Sequence, residues 1–254
     1  MNIPVVLIVY KRTETTRRVF EVIRKVRPSK FYLVADGPKN ISQKKICDEV
    51  IRIVEKGIDW ECNYIKIQSD FNLGLARRVQ TGLDEVFSME KNAIILEDDT
   101  LPDPSFFKFC EELLNKYKDN ESVAHISGCN LHPEVFIGNS SYCFSSIINI
   151  WGWATWARAW KHFDLQMPSW EKEHKNQFLQ NWCGSRYRET QKQTRKMFDL
   201  HCKNDDPWAW SYQWIYNCWH LNGLSVIPSK NLVANIGFGR DATNTKSPTP
   251  IDLF

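Results

Sequence analysis

Short, unbroken apolar runs alternate with helix-patterned stretches through the first third of this chain, and that alternation leaves few folds open. Pro4 to Tyr10 is a continuous apolar run of strand length, and Val19, Val22, Ile23 and Val26 follow at spacings that set them on one helix face. Phe31 to Ala35 is the next run, stopped by the turn signal Asp36-Gly37-Pro38. A second helix carries Ile46, Val50, Ile53 and Val54. Cys62 to Ile67 alternates as a strand does, and Leu75, Val79, Leu83, Val86 and Phe87 make a third amphipathic helix. Ala93 to Leu96 then runs straight into Glu97, Asp98 and Asp99. Asp103 reads as an N-cap with Pro104 at the first helical position, opening a helix with Phe106, Phe109, Cys110, Leu113 and Leu114 inward. A strand-helix series with such apolar strands predicts an α/β fold, a mainly parallel sheet with helices on both faces.

The second half reads differently. It is rich in Trp, with strand-like Val123 to Ser127, a further strand near Phe144 to Ile150, long polar helical stretches, and short strands around Ser225 to Ile227 and Leu232 to Ile236. Trp151, Trp153, Trp156 and Trp160 are spaced for core packing on a helix. The chain has 254 residues, no internal repeat and no low-complexity linker, so both halves are expected in one body.

Composition narrows the function classes. Hydrophobic residues make up 43% and charged residues 25%, ordinary for a soluble globular protein. A net charge of +3 without any nucleic-acid motif argues against a nucleic-acid partner. One local excess stands out: eight basic residues against Glu14 and Glu21 between Lys11 and Lys30. Either they form a solvated helix face, or Arg17, Arg18, Arg24 and Lys25 dock on an anionic membrane surface. The uncharged stretch Val135 to Ala157 is broken by Gly, Asn and Ser, which excludes a membrane span there. The eight Cys form no CxxC pair, and the apolar run ending before Lys11 is too short for a signal peptide, so free thiols and a cytoplasmic location are expected.

The acidic triplet closes a strand, and ligands of open α/β sheets bind beyond such carboxyl ends. Side-chain alternation sends Glu97 and Asp99 to one side and Asp98 to the other. Three adjacent carboxylates are costly unless a cation or hydrogen-bond donors compensate them. Mg²⁺ or Mn²⁺, held by one or two carboxylates with phosphates and water completing the shell, suits such a place; a solvated acidic turn is the plainer alternative.

The segment ILEDDTLPDPSFFKF at 95 to 109 resembles the EDD segment of N-acetylglucosaminyltransferase I and of bacterial GT-A glycosyltransferases. VYKR at 9 to 12, VADGP at 34 to 38, NLG at 72 to 74, IWGWATWARAW at 150 to 160, SYQW at 211 to 214 and NIGFGRDAT at 235 to 243 agree in order. The resemblance covers nearly the whole chain. It implies a GT-A, Rossmann-like fold with a nucleotide-sugar half at 1–123 and an acceptor half at 124–254. The implied activity is metal-dependent, inverting transfer from a UDP-sugar to a glycan or glycolipid hydroxyl in surface polysaccharide synthesis. It also implies roles: Asp99 on Mn²⁺ or Mg²⁺, Asp98 on the ribose, Arg12 on the phosphates and Asp36 on the base. Tyr10 and Glu97 belong to the same donor site, with Asn72 and Gly74 shaping its loop. One or two of the Trp residues would stack on a sugar.

Two positions depart from that pattern. Where the relatives carry an Asp base after a Trp, Ser211 follows Trp210, and a serine hydroxyl is too weak a base. Asp206 or Asp205, in KNDDPWAW, is the candidate substitute, with helix capping as the plainer role. Asn244 stands where the relatives read His, which offers the metal or phosphate no imidazole, and the loop Arg240 to Lys246 is placed to close over the donor. A non-catalytic nucleotide-sugar or carbohydrate-binding protein is the competing class. A sugar-phosphate nucleotidyltransferase ranks below it, because VYKRTETT has no glycine for a phosphate loop. An Asp99 side chain turned away from any cleft, or buried in an ion pair with Lys or Arg, would overturn the metal-bridged donor and the activity implied with it.

Overall fold

The computed structural model describes residues 1–131, 139–202, 204 and 207–238. The apolar runs are central strands, as expected of segments that must be covered on both sides. β1 (Val5–Val9) is buried at every position, as are five of the six residues of β2 (Lys30–Ala35), while β4 (Asn92–Glu97) is buried from Ala93 to Leu96. β1 lies between β2 and β4, parallel to both, and β2 pairs in parallel with β3 (Asn63–Gln68). Between them run α1 (Thr13–Val26), α2 (Ile41–Gly57) and α3 (Leu75–Met89). The buried face of α2 is Cys47, Val50, Ile51 and Val54, a small rotation from the expected stripe that leaves Ile46 outside. α4 (Pro104–Lys116) starts where the sequence places it: Asp103 Oδ1 accepts from the Ser105 N–H at 2.8 Å, with Pro104 in the first turn. Phe107 is buried there, whereas the expected Phe109 is only partly so.

The second half continues the same sheet. β6 (Val123–Ser127), β7 (Tyr142–Ser145), β8 (Trp153–Trp156) and β9 (Leu224–Pro228) complete eight strands in the order β3-β2-β1-β4-β8-β6-β9-β7, with β8 and β7 antiparallel to the rest. A small second sheet pairs β5 (Thr100–Pro102) with β10 (Val233–Asn235). The expectation of a Trp helix is corrected here. Trp153 to Trp156 is a fully buried strand between β4 and β6, and only at α5 (Ala157–Trp160) does the helix begin. Spacings of three and four mimic a helix, but Trp156 and Trp160 fall in different elements, and aromatic residues with Thr suit a strand covered on both faces.

One core lies under α1, α2 and α4, the other under α3, α5 and α8 (Ser211–His220). A third aromatic cluster joins α8 to α6 (Lys175–Cys183) and α7 (Arg188–His201). Among the described residues no helix is long and apolar enough to cross a membrane.

Candidate functional site

The carboxyl ends of β2, β1 and β4 form one edge: Val9 pairs with Ala35, and Ile8 with Glu97. Beyond it the chain turns at Asp98 and Asp99 directly into β5. That turn is clamped from the far end of the chain, where Asn235 pairs with Thr100 and the Ile236 N–H donates to Asp99 O at 2.8 Å. Only glycine fits next: a Cβ on Gly237 would stand 2.2 Å from Asp99 Oδ2.

Arg12 fills the mouth of this turn. Its Nη1 donates to Asp99 Oδ2 at 2.5 Å and to Asp98 Oδ1 at 3.3 Å. Strict alternation across the triplet therefore fails. The strand ends at Glu97, and the tight turn swings both aspartates to one guanidinium. Arg12 itself is placed by the start of α1, where its carbonyl accepts the Thr16 N–H at 3.1 Å. The Tyr10 main-chain N–H bonds to the Asp98 carboxylate, while the Tyr10 hydroxyl turns away to donate to Gln43 Oε1.

Negative charge exceeds positive charge here. Burial, then repulsion from Asp99 and Asp98, pushes the Glu97 carboxyl up to about 8, against the pull of Arg12. Burial and Asp99 push Asp98 up to about 7. The donors present are all hard oxygens, and Arg12 acts as a stand-in showing that two carboxylates converge on one cation, which fits a divalent ion completed by phosphate and water. Among the described residues no three metal-ligating side chains form a ready-made cage. The Asp99–Arg12 pair is the arrangement that counts against a metal on Asp99. It is partly open, with the side chains 17% and 21% exposed, so a metal there depends on Arg12 moving off.

Asp36, Asn72 and Gly74 also come together. Asp36 Oδ1 accepts the N–H groups of Gly37 and Leu73, both at 2.9 Å, and Oδ2 accepts the Gly74 N–H at 3.1 Å and Asn72 Nδ2 at 2.8 Å. These donors occupy the four lone-pair positions of a carboxylate. Through them the carboxylate ties the loop before α3 to the end of β2. Gly74, at φ +78°, caps α3 in a conformation that favours glycine. Sequence reasoning missed Arg78 on α3, which is buried, leaves Nε without a partner among the described residues, and faces the charge of Asp36. Its available signal was Gly82, one turn on, whose missing side chain leaves room first for Val34 and then for the guanidinium.

Asp205, Asp206, Asn244 and the loop from Arg240 to Lys246 lie outside the described residues. Ser211 is the first residue of α8. On α1, Arg17 pairs with Glu14 at 2.8 Å and Arg24 with Asp59 at 2.6 Å, so acids of the same chain answer part of the cationic face.

No family model and no curated protein matches this chain. Solved structures resemble it in part. A mannosyltransferase, PcManGT from Pyrobaculum calidifontis in complex with GDP-Man and Mn²⁺, is 14% identical, with a TM-score of 0.44 over 63% of this chain and 46% of that one. TarS from S. aureus is 12% identical, with a TM-score of 0.44 over 65% of this chain and 30% of that one. A UDP-glucose pyrophosphorylase complexed with UDP-glucose is 12% identical, with a TM-score of 0.40 over 63% and 78%. At overlaps this partial, the fold class rests on the strand order and register described above.

Proposed function

We propose that this chain is a glycosyltransferase that takes a UDP-sugar at the carboxyl edge of β1, β2 and β4 and passes the sugar, with inversion, to a hydroxyl of a glycan or glycolipid. The observation that carries this reading is the convergence of Asp98 and Asp99 on one guanidinium at the open end of a parallel sheet. Arg12 leaves the aspartates for the diphosphate, which its planar donors suit. Asp99 is then free to hold Mn²⁺ or Mg²⁺, and Asp98 to meet the ribose. Bound there, the ion would supply charge compensation for the leaving diphosphate. Asp36 keeps the Asn72–Gly74 loop in place as the wall of the nucleotide side. We assign the general base to Asp206 or Asp205, since Ser211 cannot serve. The donor half spans 1–123 and the acceptor half 124–254.

Calorimetric titration of UDP-, GDP- and dTDP-sugars with and without Mn²⁺ tests the reading. A UDP-sugar should bind about tenfold or more tightly with the metal, and donor hydrolysis should require it. A protein that binds none of them under either condition would end the proposal. Ser211 favours a second reading, a nucleotide-sugar-binding protein without transfer; metal-supported binding without any turnover would select it.

A further inference from the structure

β4, β6 and β9 run in the same direction, so their carboxyl ends share one edge of the sheet. From the end of β9 the chain returns along that edge as a strap, residues 231–238, meeting one neighbour after another. Asn231 Oδ1 accepts the Asn130 N–H at 3.0 Å, the Leu232 N–H donates to Gly128 O at 2.9 Å, and Leu232 O accepts the Asp103 N–H at 2.8 Å. Val233 is fully buried and seated where Gly128 and Gly152 lack side chains, since a Cβ on them would stand 2.4 and 2.7 Å from its Cγ2. Asn235 then pairs with Thr100, the Ile236 N–H holds Asp99 O, and the Phe238 ring packs edge-on against Trp151 at 5.8 Å. The acidic turn is thus held from the second half of the chain.

Gly237 sits in this strap for a reason that its own backbone does not supply. Its φ lies outside the left-handed region, so an alanine there would meet no torsional penalty. The three atoms nearest a Cβ at this position all belong to one side chain: Asp99 Oδ2 at 2.2 Å, and its Cβ and Cγ at 2.8 Å. The glycine main chain therefore lies directly against the carboxylate, and its N–H is held by Asn235 Oδ1 at 2.8 Å. Oδ2 is also the oxygen that accepts from Arg12 Nη1. An aspartate on a turn chooses among several rotamers; here the strap and Arg12 meet the same oxygen and select one. We propose that the strap aims the Asp99 carboxylate at the cation, with Gly237 as its positioning residue. The inference rests on the metal reading of Asp99 and adds the segment that orients this ligand. Groups behind a metal ligand fix its direction, and losing them costs metal affinity although they never touch the ion.

Mn²⁺ alone, titrated by electron paramagnetic resonance, reads this aim. In Gly237→Ala the carboxylate has to turn aside, so Mn²⁺ should bind about tenfold or more weakly. The melting temperature should stay within about 5 °C of wild type, because the end of a side chain yields rather than the sheet. The loss of affinity should persist in the Arg12→Gln background, where no guanidinium competes for Oδ2. Asn235→Ala introduces no overlap and only releases the Gly237 N–H, and should weaken Mn²⁺ about threefold. Wild-type Mn²⁺ affinity in Gly237→Ala overturns the proposal, as does wild-type affinity in Asn235→Ala if the Gly237 variant does not fold. A loss that vanishes in the Arg12→Gln background also overturns it, because the added methyl would then act by driving Asp99 onto Arg12. So does a loss accompanied by a fall of more than about 5 °C in melting temperature, which marks a collapse of the whole edge. A wild type that binds no Mn²⁺ instead removes the metal reading beneath the proposal.

Discussion

The two halves of the sheet are built from different materials. Around β1, β2 and β4 the interior is mainly aliphatic, Val, Ile and Leu at near-zero exposure joined by Phe20, Phe31, Tyr32 and Phe106, and at the carboxyl edge Asp36 has every lone pair occupied. Around β8 and α8 the interior is indole and imidazole: Trp153, Trp160, Trp210, Trp214 and His125 pack on one another, with polar atoms inside the core. In the first region the charges that matter stand at the end of a rigid frame. In the second, polar atoms are embedded in the packing of the rings, where an unmet hydrogen bond costs most.

Trp160→Ala should give the largest effect and break the comparison if it does not. That ring is 2% exposed, stacks on Phe163 at 4.3 Å and donates to Asp84 at 2.8 Å. Its loss should cost roughly 3–5 kcal/mol in denaturant unfolding; a cost below about 1 kcal/mol would mean the indole core is loosely packed. Arg12→Gln sharpens the other side. With the competing guanidinium gone, Mn²⁺ alone should bind about tenfold more tightly, read by electron paramagnetic resonance, while UDP binding weakens. Unchanged metal affinity would show that Arg12 and the metal do not share the aspartates.

The smallest effect is on pH. Glu97 and Asp98 are held up at about 8 and about 7 in the fold, against ordinary values of 4.5 and 3.8, so the folded chain keeps protons that the unfolded chain has released. Stability is therefore fullest below the ordinary carboxylate range and falls as pH rises toward 8. Metal-free thermal melts should drop by a few degrees between about pH 5 and pH 8, and Glu97→Gln should flatten the slope. A wild-type melt that is flat across this range contradicts the surplus of charge at the turn.

Much of the aliphatic half was legible along the chain. Its strands, the Asp103-Pro104 helix start and the position of the acidic triplet at a strand end follow from period, apolarity and capping, which act over a few residues. The site calls divide. Asp36, Asn72 and Gly74 do share one cluster, but that Asp36 is saturated within it depends on a loop 37 residues away in sequence. In the aromatic half, WATW was read with the wrong period, because a strand of four residues is too short to display alternation. The burial of the Gln213 amide without a partner among the described residues carries no local signal.

By itself, then, the sequence determined which segments become strands and helices, and which edge of the sheet collects the carboxylates, since both follow from local pattern and the pull of apolar surface out of water. Only the tertiary structure decided the partners of those carboxylates. Arg12 and Asp99 meet across 87 residues. Gly237 closes on Asp99 from the far end of the described chain, and such distant contacts are fixed by packing geometry that no short window of sequence contains.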